Sequence, residues 1–393
     1  MPLQVKTENT PITVVDRRTF VCGTLATLAG SMLSCRRDTF TASPPPPGAM
    51  RSHLALAQSP YFELTKDGLL HNVVDDAQDI IDCHAHLGLS YFLSPELSWQ
   101  EPSEPTRYLV SCDWQKDRPC GFTLDDYQTA MLDEKSIGTF QRELLRTGLP
   151  FGSPTAKTHT LPNLLAEMDA LGIARTTLLP IALRMPWSSN PSAAYLRAAG
   201  DSRYPSRFII FGSVHPDSSD AVRDLEDLAS LGIRGFKLHP LVQRFYADSD
   251  NVMPLYEACE RLGLPVLFHA GRAGIEPSFT QKYGLVSYLE RAIRTHPNVS
   301  FILGHAGSYL DGPEALVLAQ KYPNVYLELS GQGRAFLKEI LHTFDVSRLL
   351  YGTDWPFYPQ ALTLSKILEL TEQDRTVRRM VLSDNARRLF KLG

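Results

Sequence analysis

The stretch Ile80-Ile81-Asp82-Cys83-His84-Ala85-His86 decides how this chain is read. A short apolar run ending in His-x-His reads as a buried strand whose two histidines project from one face, because side chains alternate along a strand. Two neutral imidazoles on one rigid face chelate a borderline metal such as zinc. Alone the pair says little, since His-x-His also occurs on ordinary surfaces. It is repeated in kind downstream, in Pro265-Val266-Leu267-Phe268-His269, Phe301-Ile302-Leu303-Gly304-His305 and Leu349-Leu350-Tyr351-Gly352-Thr353-Asp354. Each is an apolar strand with a metal-ligand residue at its C-terminal end.

From residue 160 onward, helical and strand periodicities alternate. Helices are predicted over Leu161–Leu171, Asp220–Leu231, Met253–Leu262, Leu285–Thr295, Pro313–Lys321 and Arg334–Phe344. Strands two, three, four and seven are predicted over Ala174–Ile181, Arg207–Val214, Gly232–Leu238 and Asn324–Leu329. Eight strands alternating with helices imply an α/β fold, a (β/α)8 TIM barrel, in which C-terminal strand ends converge on one mouth. A long insertion after strand one runs from about Gly88 to His159, with helical patterns at Leu124–Leu132 and Ile137–Leu145. An open doubly wound sheet would not bring strands one, five, six and eight around one ion.

The 393 residues are 43% hydrophobic and 21% charged, with a net charge of -4, which gives no footprint for nucleic acid and leaves a small molecule as the expected partner. Residues 1–50 do not read as fold. Arg17-Arg18-Thr19-Phe20-Val21, the weakly apolar run Cys22 to Leu33, and Met32-Leu33-Ser34-Cys35 resemble a bacterial twin-arginine export leader with a lipoprotein cleavage box. The resemblance implies export, to the periplasm or to a membrane through a lipidated Cys35. Ser43-Pro44-Pro45-Pro46-Pro47-Gly48 is a stiff spacer suited to follow an anchor. Cys112 and Cys120 bracket a polar loop and form either a disulfide or two free thiols. Cys83, alternating with His84, is expected to point away from the barrel axis, and Cys259 to be a buried helical residue.

Taken together, Asp82-Cys83-His84-Ala85-His86, Gly235-Phe236-Lys237-Leu238-His239-Pro240, Leu267-Phe268-His269-Ala270-Gly271, Gly304-His305-Ala306-Gly307 and Gly352-Thr353-Asp354-Trp355-Pro356 resemble the amidohydrolase superfamily, in the amidohydrolase-related branch that includes aminocarboxymuconate-semialdehyde decarboxylase. Asp384-Asn385-Ala386-Arg387-Arg388-Leu389-Phe390 resembles that branch's last helix. The resemblance spans Asp82 to Leu392, without the insertion, and implies His84, His86, His269 and Asp354 as ligands of a divalent metal. Nitrogens plus one carboxylate suit zinc and leave a position for water. His305 is then an acid/base beside a single ion, or a ligand of a second one. Lys237 carries the same ambiguity: carbamylated it would bridge two ions, and as an ammonium it would face Asp354 or a substrate carboxylate. One ion is favoured.

His239 and Arg272 are candidate substrate-binding residues, with His215, Arg244 and Arg334 as weaker ones. The implied activity is hydrolysis: activated water attacks an ester, lactone or amide, Asp354 relays the proton and His305 steadies the oxyanion. A decarboxylase or other lyase on a small carboxylic acid is the leading alternative, and a non-catalytic cell-surface binding protein a third.

Because residues 1–50 read as leader and spacer, their deletion should leave a soluble chain with a cooperative thermal melt. Insoluble protein without such a melt would make the segment part of the fold.

Overall fold

Strand formation here follows burial on both faces. The run Ile80–Ala85 is buried at every residue, and Val266–His269, Phe301–Gly304 and Val325–Glu328 are buried almost throughout. Continuous apolar strands of this kind belong to parallel sheets covered by helices. The computed structural model describes residues 52–88, 97–109, 153–184 and 190–392, all within the unit Ser43–Gly393. The twin arginines, Cys35, the Pro-rich spacer, Cys112, Cys120 and the two helical patterns of the insertion lie outside those residues.

A hairpin, β1 (Phe62–Leu64) with β2 (Leu70–Asn72), precedes the barrel. The eight barrel strands are β3 (Ile80–Ala85), β4 (Ile173–Leu178), β5 (Phe208–Ile210), β6 (Phe236–Leu238), β7 (Val266–His269), β8 (Phe301–Gly304), β9 (Val325–Glu328) and β10 (Leu349–Leu350). All neighbours pair in parallel, in the orders β3-β4-β5 and β6-β7-β8-β9-β10. Parallel bridges Gly212↔Phe236 and Ala85↔Trp355 join the two groups. The ring is closed, and the chain folds as a (β/α)8 barrel.

Helix boundaries follow local chemistry. Leu161–Leu171 starts where the Thr160 side chain accepts from Asn163 N–H and stops where Gly172 turns left-handed at φ 72°. Met253–Leu262 stops the same way at Gly263. The sequence predicted both helices with these bounds. It did not predict the helix Pro191–Gly200, capped by Asn190, or the β1–β2 hairpin. The observed strands are shorter than predicted: β4 and β5 lose mainly their last residues, which leave the ladder toward the mouth, β6 loses its first four, and β9 loses one at each end.

The barrel interior is a small apolar cluster that includes Ile81, Cys83, Ile209, Phe211, Leu267, Ile302 and Leu350, with Ala386 and Phe390 from the last helix, Asn385–Phe390. Cys83 is therefore not in the strand–helix layer, contrary to expectation. Pairing of β3 with β4 is irregular between Asp82 and Ala85, so strict alternation fails there. Asp82 instead bonds Thr353 Oγ1 at 2.6 Å and Gln360 Nε2, on the helix Gln360–Leu370, at 2.8 Å. The outer layer is a larger cluster, in which Cys259 is buried as expected.

Phe390 is 3% exposed and meets Phe211 edge-on at 5.5 Å. Phe390→Ala should cost about 3–5 kcal/mol in a urea melt, as aromatic truncation in a packed core does. A loss below about 1 kcal/mol would place Phe390 outside the core.

Candidate metal centre

Strand ends deliver the site. β3 supplies His84 and His86, β6 Lys237, β7 His269, β8 His305 and β10 Asp354. Register sets Lys237 beside Leu267, an interior residue, so its side chain also enters the barrel. Lys237 is fully buried and its Nζ lies 3.4 Å from His84 Nε2. His84, His305 and Asp354 form a group whose ligand atoms all lie within 4.8 Å of one another. His86 flanks it, with Nε2 3.3 Å from Asp354 Oδ1, and His84 Nε2 is 3.6 Å from that same oxygen. The His269 ring meets His305 at 4.6 Å, and His239 stacks flat on His269 at 4.0 Å.

The imidazoles are oriented from behind. His86 Nδ1 faces the Leu179 carbonyl at 2.7 Å, which can only accept, so Nδ1 carries a proton and Nε2 is the nitrogen turned to the site. His305 Nδ1 lies 2.9 Å from Ser330 Oγ, whose one proton goes to Glu328 Oε2 at 2.9 Å. The hydroxyl must then accept from His305, again leaving Nε2 toward the site. His84 Nδ1 sits 2.6 Å from Glu328 Oε2, while its Nε2 faces the Lys237 ammonium, which has only protons to offer. Three Nε2 atoms are thereby left toward the site, that of His84 with Lys237 Nζ 3.4 Å away. Burial holds His84 and His305 well below the ordinary imidazole range, with Lys237 and neighbouring histidines adding to it, so both rings are neutral.

Burial also brings Lys237 down to about 8, opposed by Asp354 and Glu328. Burial pushes Glu328 up to about 8, opposed by hydrogen bonds from His305 N–H and Ser330.

Backbone strain marks the same place. His305 and Asp354 adopt left-handed φ of 57° and 58°, and Ala306 and Ser308 do so beside His305. Gly271, at φ 80°, allows the β7 loop to touch the β8 loop: a Cβ there would lie 1.9 Å from Gly307 O.

A divalent cation fits these residues. His86 Nε2 and a carboxylate oxygen stand 3.3 Å apart, and with Nδ1 given to the Leu179 carbonyl Nε2 is the nitrogen left to hold a cation beside that oxygen. His269 Nε2 is buried with no hydrogen-bond partner. Two atoms each about 2.1 Å from one ion stand roughly 3.0–3.6 Å apart at bond angles of about 90–120°. The observed separations from Asp354 Oδ1, 3.3 and 3.6 Å, fall in that range.

The weaker candidates separate. Arg272 gives Nε and Nη2 to Asp311, with Nε at 2.8 Å. Arg334 pairs with Glu369 at 2.7 Å. His215 Nε2 meets the Gln243 carbonyl at 2.9 Å and so ties two loops together. His239 adjoins the site through His269, and its Nδ1 accepts from Val242 N–H at 3.4 Å. Arg244 is exposed at φ 56°.

Sequence reasoning passed over Glu328, Ser330 and Glu276. Glu328 ends an apolar strand as the ligands do, so its signal was available. Glu276 Oε1 lies 3.8 Å from His269 Nε2 on an irregular loop that carries no pattern.

Comparison with known proteins agrees with this architecture. The amidohydrolase-2 family model, described as Amidohydrolase, matches residues 81–392. Protein fluG of Emericella nidulans is 36% identical over 87 residues, 20% of this chain, and the chain spans about a tenth of that protein's length. An uncharacterized TIM-barrel protein of Bordetella bronchiseptica aligns with a TM-score of 0.53 at 21% identity, over 79% of this chain and 98% of its own. The 5-carboxyvanillate decarboxylase of Novosphingobium aromaticivorans, complexed with manganese and a nitrobenzoic acid, aligns with a TM-score of 0.54 at 16% identity, over 81% and 97%. With the family model covering the barrel from its first ligand strand to its last helix, the chain belongs to the amidohydrolase family.

Proposed function

We propose that this protein is a metal-dependent hydrolase that activates water against an ester, lactone or amide carbonyl of a small molecule. The observation that carries the reading is convergence: ring nitrogens of His84, His86 and His305 and the Asp354 carboxylate gather at one buried point. His84, His86, His269 and Asp354 would hold the cation, and zinc suits this nitrogen-rich set. When bound, a divalent cation supplies Lewis acidity that polarises a carbonyl and lowers the pKa of water.

The chain's own residues do the rest. Asp354, whose Oδ1 faces both His84 and His86, takes a proton from the attacking water and returns it to the leaving group. His305, neutral at rest and held at Nδ1 by Ser330, lies with Nε2 beside the reacting carbonyl, where it gains a proton as negative charge develops on the oxygen and so steadies it. Lys237 sets a buried positive charge against Asp354 and Glu328. Glu328 fixes the His84 ring and the His305 backbone together.

A second reading, decarboxylation of a small carboxylic acid, is favoured by that same buried ammonium, which complements a substrate carboxylate. It is also supported by the likeness to 5-carboxyvanillate decarboxylase. Product analysis separates the two. Hydrolysis incorporates ¹⁸O from labelled water into the product of a lactone or ester, whereas the lyase releases CO₂ from an aromatic acid. Export, with Cys35 as a lipid attachment point, rests on the twin arginines and the spacer.

Alanine at His84, His86, His269 or Asp354 should lower bound metal by about tenfold or more, and activity with it. Full occupancy in His269→Ala would remove that residue from the shell. Elemental analysis should find one ion per chain, with activity indifferent to bicarbonate and Lys237 unmodified in a high-resolution map. Two ions bridged by extra density on Lys237 would replace the single-ion reading.

A further inference from the structure

Among the described residues, His269 Nε2 is a buried atom of the centre that no hydrogen bond satisfies. Its nearest carboxylate oxygen is Glu276 Oε1 at 3.8 Å, beyond hydrogen-bond reach. Glu276 lies on the loop that leaves β7 directly after the ligand His269, and its side chain is 10% exposed. Backbone donors aim it: Ala273 N–H meets Oε1 and Gly274 N–H meets Oε2, both at 2.9 Å. Gly274 turns left-handed at φ 85° to allow this return of the loop.

Among the described residues, no lysine or arginine forms an ion pair with Glu276. The nearest sequence candidate, Arg272, gives its charge to Asp311. A carboxylate largely out of water is costly without a countercharge. Here the group facing it is the His269 imidazole, whose Nε2 lies 3.8 Å away and makes no hydrogen bond. A carboxylate and an imidazole nitrogen held slightly too far apart for a hydrogen bond, the carboxylate pinned by the backbone, form an arrangement that a bridging cation satisfies.

We propose that Glu276 is a further ligand of the metal centre, binding the cation together with His269. The proposal rests on the reading above that His269 belongs to the shell. It adds a carboxylate to a set that otherwise holds only Asp354, and so raises the site's negative charge and its preference for a divalent ion. It also gives the β7 loop a role: the loop carries an oxygen ligand back over the strand end from which His269 projects.

The test uses the full chain stripped of metal and titrated with Zn²⁺ alone against a chromophoric chelator. Wild type, Glu276→Gln, Glu276→Asp and His269→Ala are compared, with thermal melts of each metal-free protein. Glu276→Gln should weaken Zn²⁺ binding about 10–100-fold, with a cooperative melt retained. Glu276→Asp, which keeps the charge but shortens the reach, should fall between Gln and wild type. The loss in Glu276→Gln should persist at about 0.5 M salt, where exposed charges more than roughly 4 Å apart are screened.

Wild-type affinity in Glu276→Gln, or a loss that salt abolishes, overturns the proposal. A Glu276→Gln chain that melts without cooperativity hands the decision to Glu276→Asp, where wild-type affinity overturns it and weakened binding upholds it. Wild-type affinity in His269→Ala would instead sink the underlying shell assignment, so the two failures are told apart.

Discussion

One buried carboxylate ties the mouth of the barrel together. Glu328, fully buried at the end of β9, takes the Nδ1 of His84 at 2.6 Å, the backbone N–H of His305 at 3.1 Å, and both the N–H and the hydroxyl of Ser330. Three strand ends are thereby fixed to one side chain. Gly352 shows how tightly: a Cβ there would lie 2.1 Å from Glu328 Oε1, so β10 approaches only because the position is glycine. Without this anchor the His84 tautomer and the strained His305 backbone would both be free to relax, and the lone pairs would lose their common target.

A second buried acid plays the same part on the outside of the first strand. Asp82 accepts from His84 N–H, Thr353 N–H, Thr353 Oγ1 and Gln360 Nε2, which joins β3, the loop after β10 and the helix behind it. Burial pushes Asp82 up to about 7. Asp82 thus ties β3 to the loop after β10, and Glu328 ties β3 to the end of β8. The Asp82–Thr353 link also seats Asp354, whose N–H bonds the His84 carbonyl at 2.7 Å. Rigid placement of this kind is what a site built on strand ends gains over one built on loops.

The fold was legible because its signal is repetitive. Helices with a 3.6-residue stripe and a glycine stop, such as Leu161–Leu171 before Gly172, announce themselves locally. So do apolar strands ending in His or Asp. Short or irregular pieces were lost for equally physical reasons. The Pro191–Gly200 helix is alanine-rich and weakly amphipathic, although Asn190-Pro191 marks its start. The β1–β2 hairpin has strands of three residues, and only Asp67-Gly68 hints at its turn. Cys83 defeats alternation because a bulge is invisible in a pattern of residue types. Ligand candidates were visible as residue types at strand ends, but their orientation depends on partners far away in sequence. Leu179 O behind His86 and Ser330 behind His305 are such partners. Glu276 depends on a loop conformation that no periodicity encodes.

On this reading, back-side hydrogen bonds turn the imidazoles so that their Nε2 atoms and Asp354 share one cation. Anomalous diffraction from crystals of the zinc-loaded protein, measured on both sides of the zinc absorption edge, tests it most directly. A single strong peak is expected at the C-terminal mouth of the barrel, within bonding distance of Nε2 of His84 and His86 and a carboxylate oxygen of Asp354. No peak there, or an ion bound through Nδ1 with the contacts to Glu328 and Leu179 broken, would contradict it.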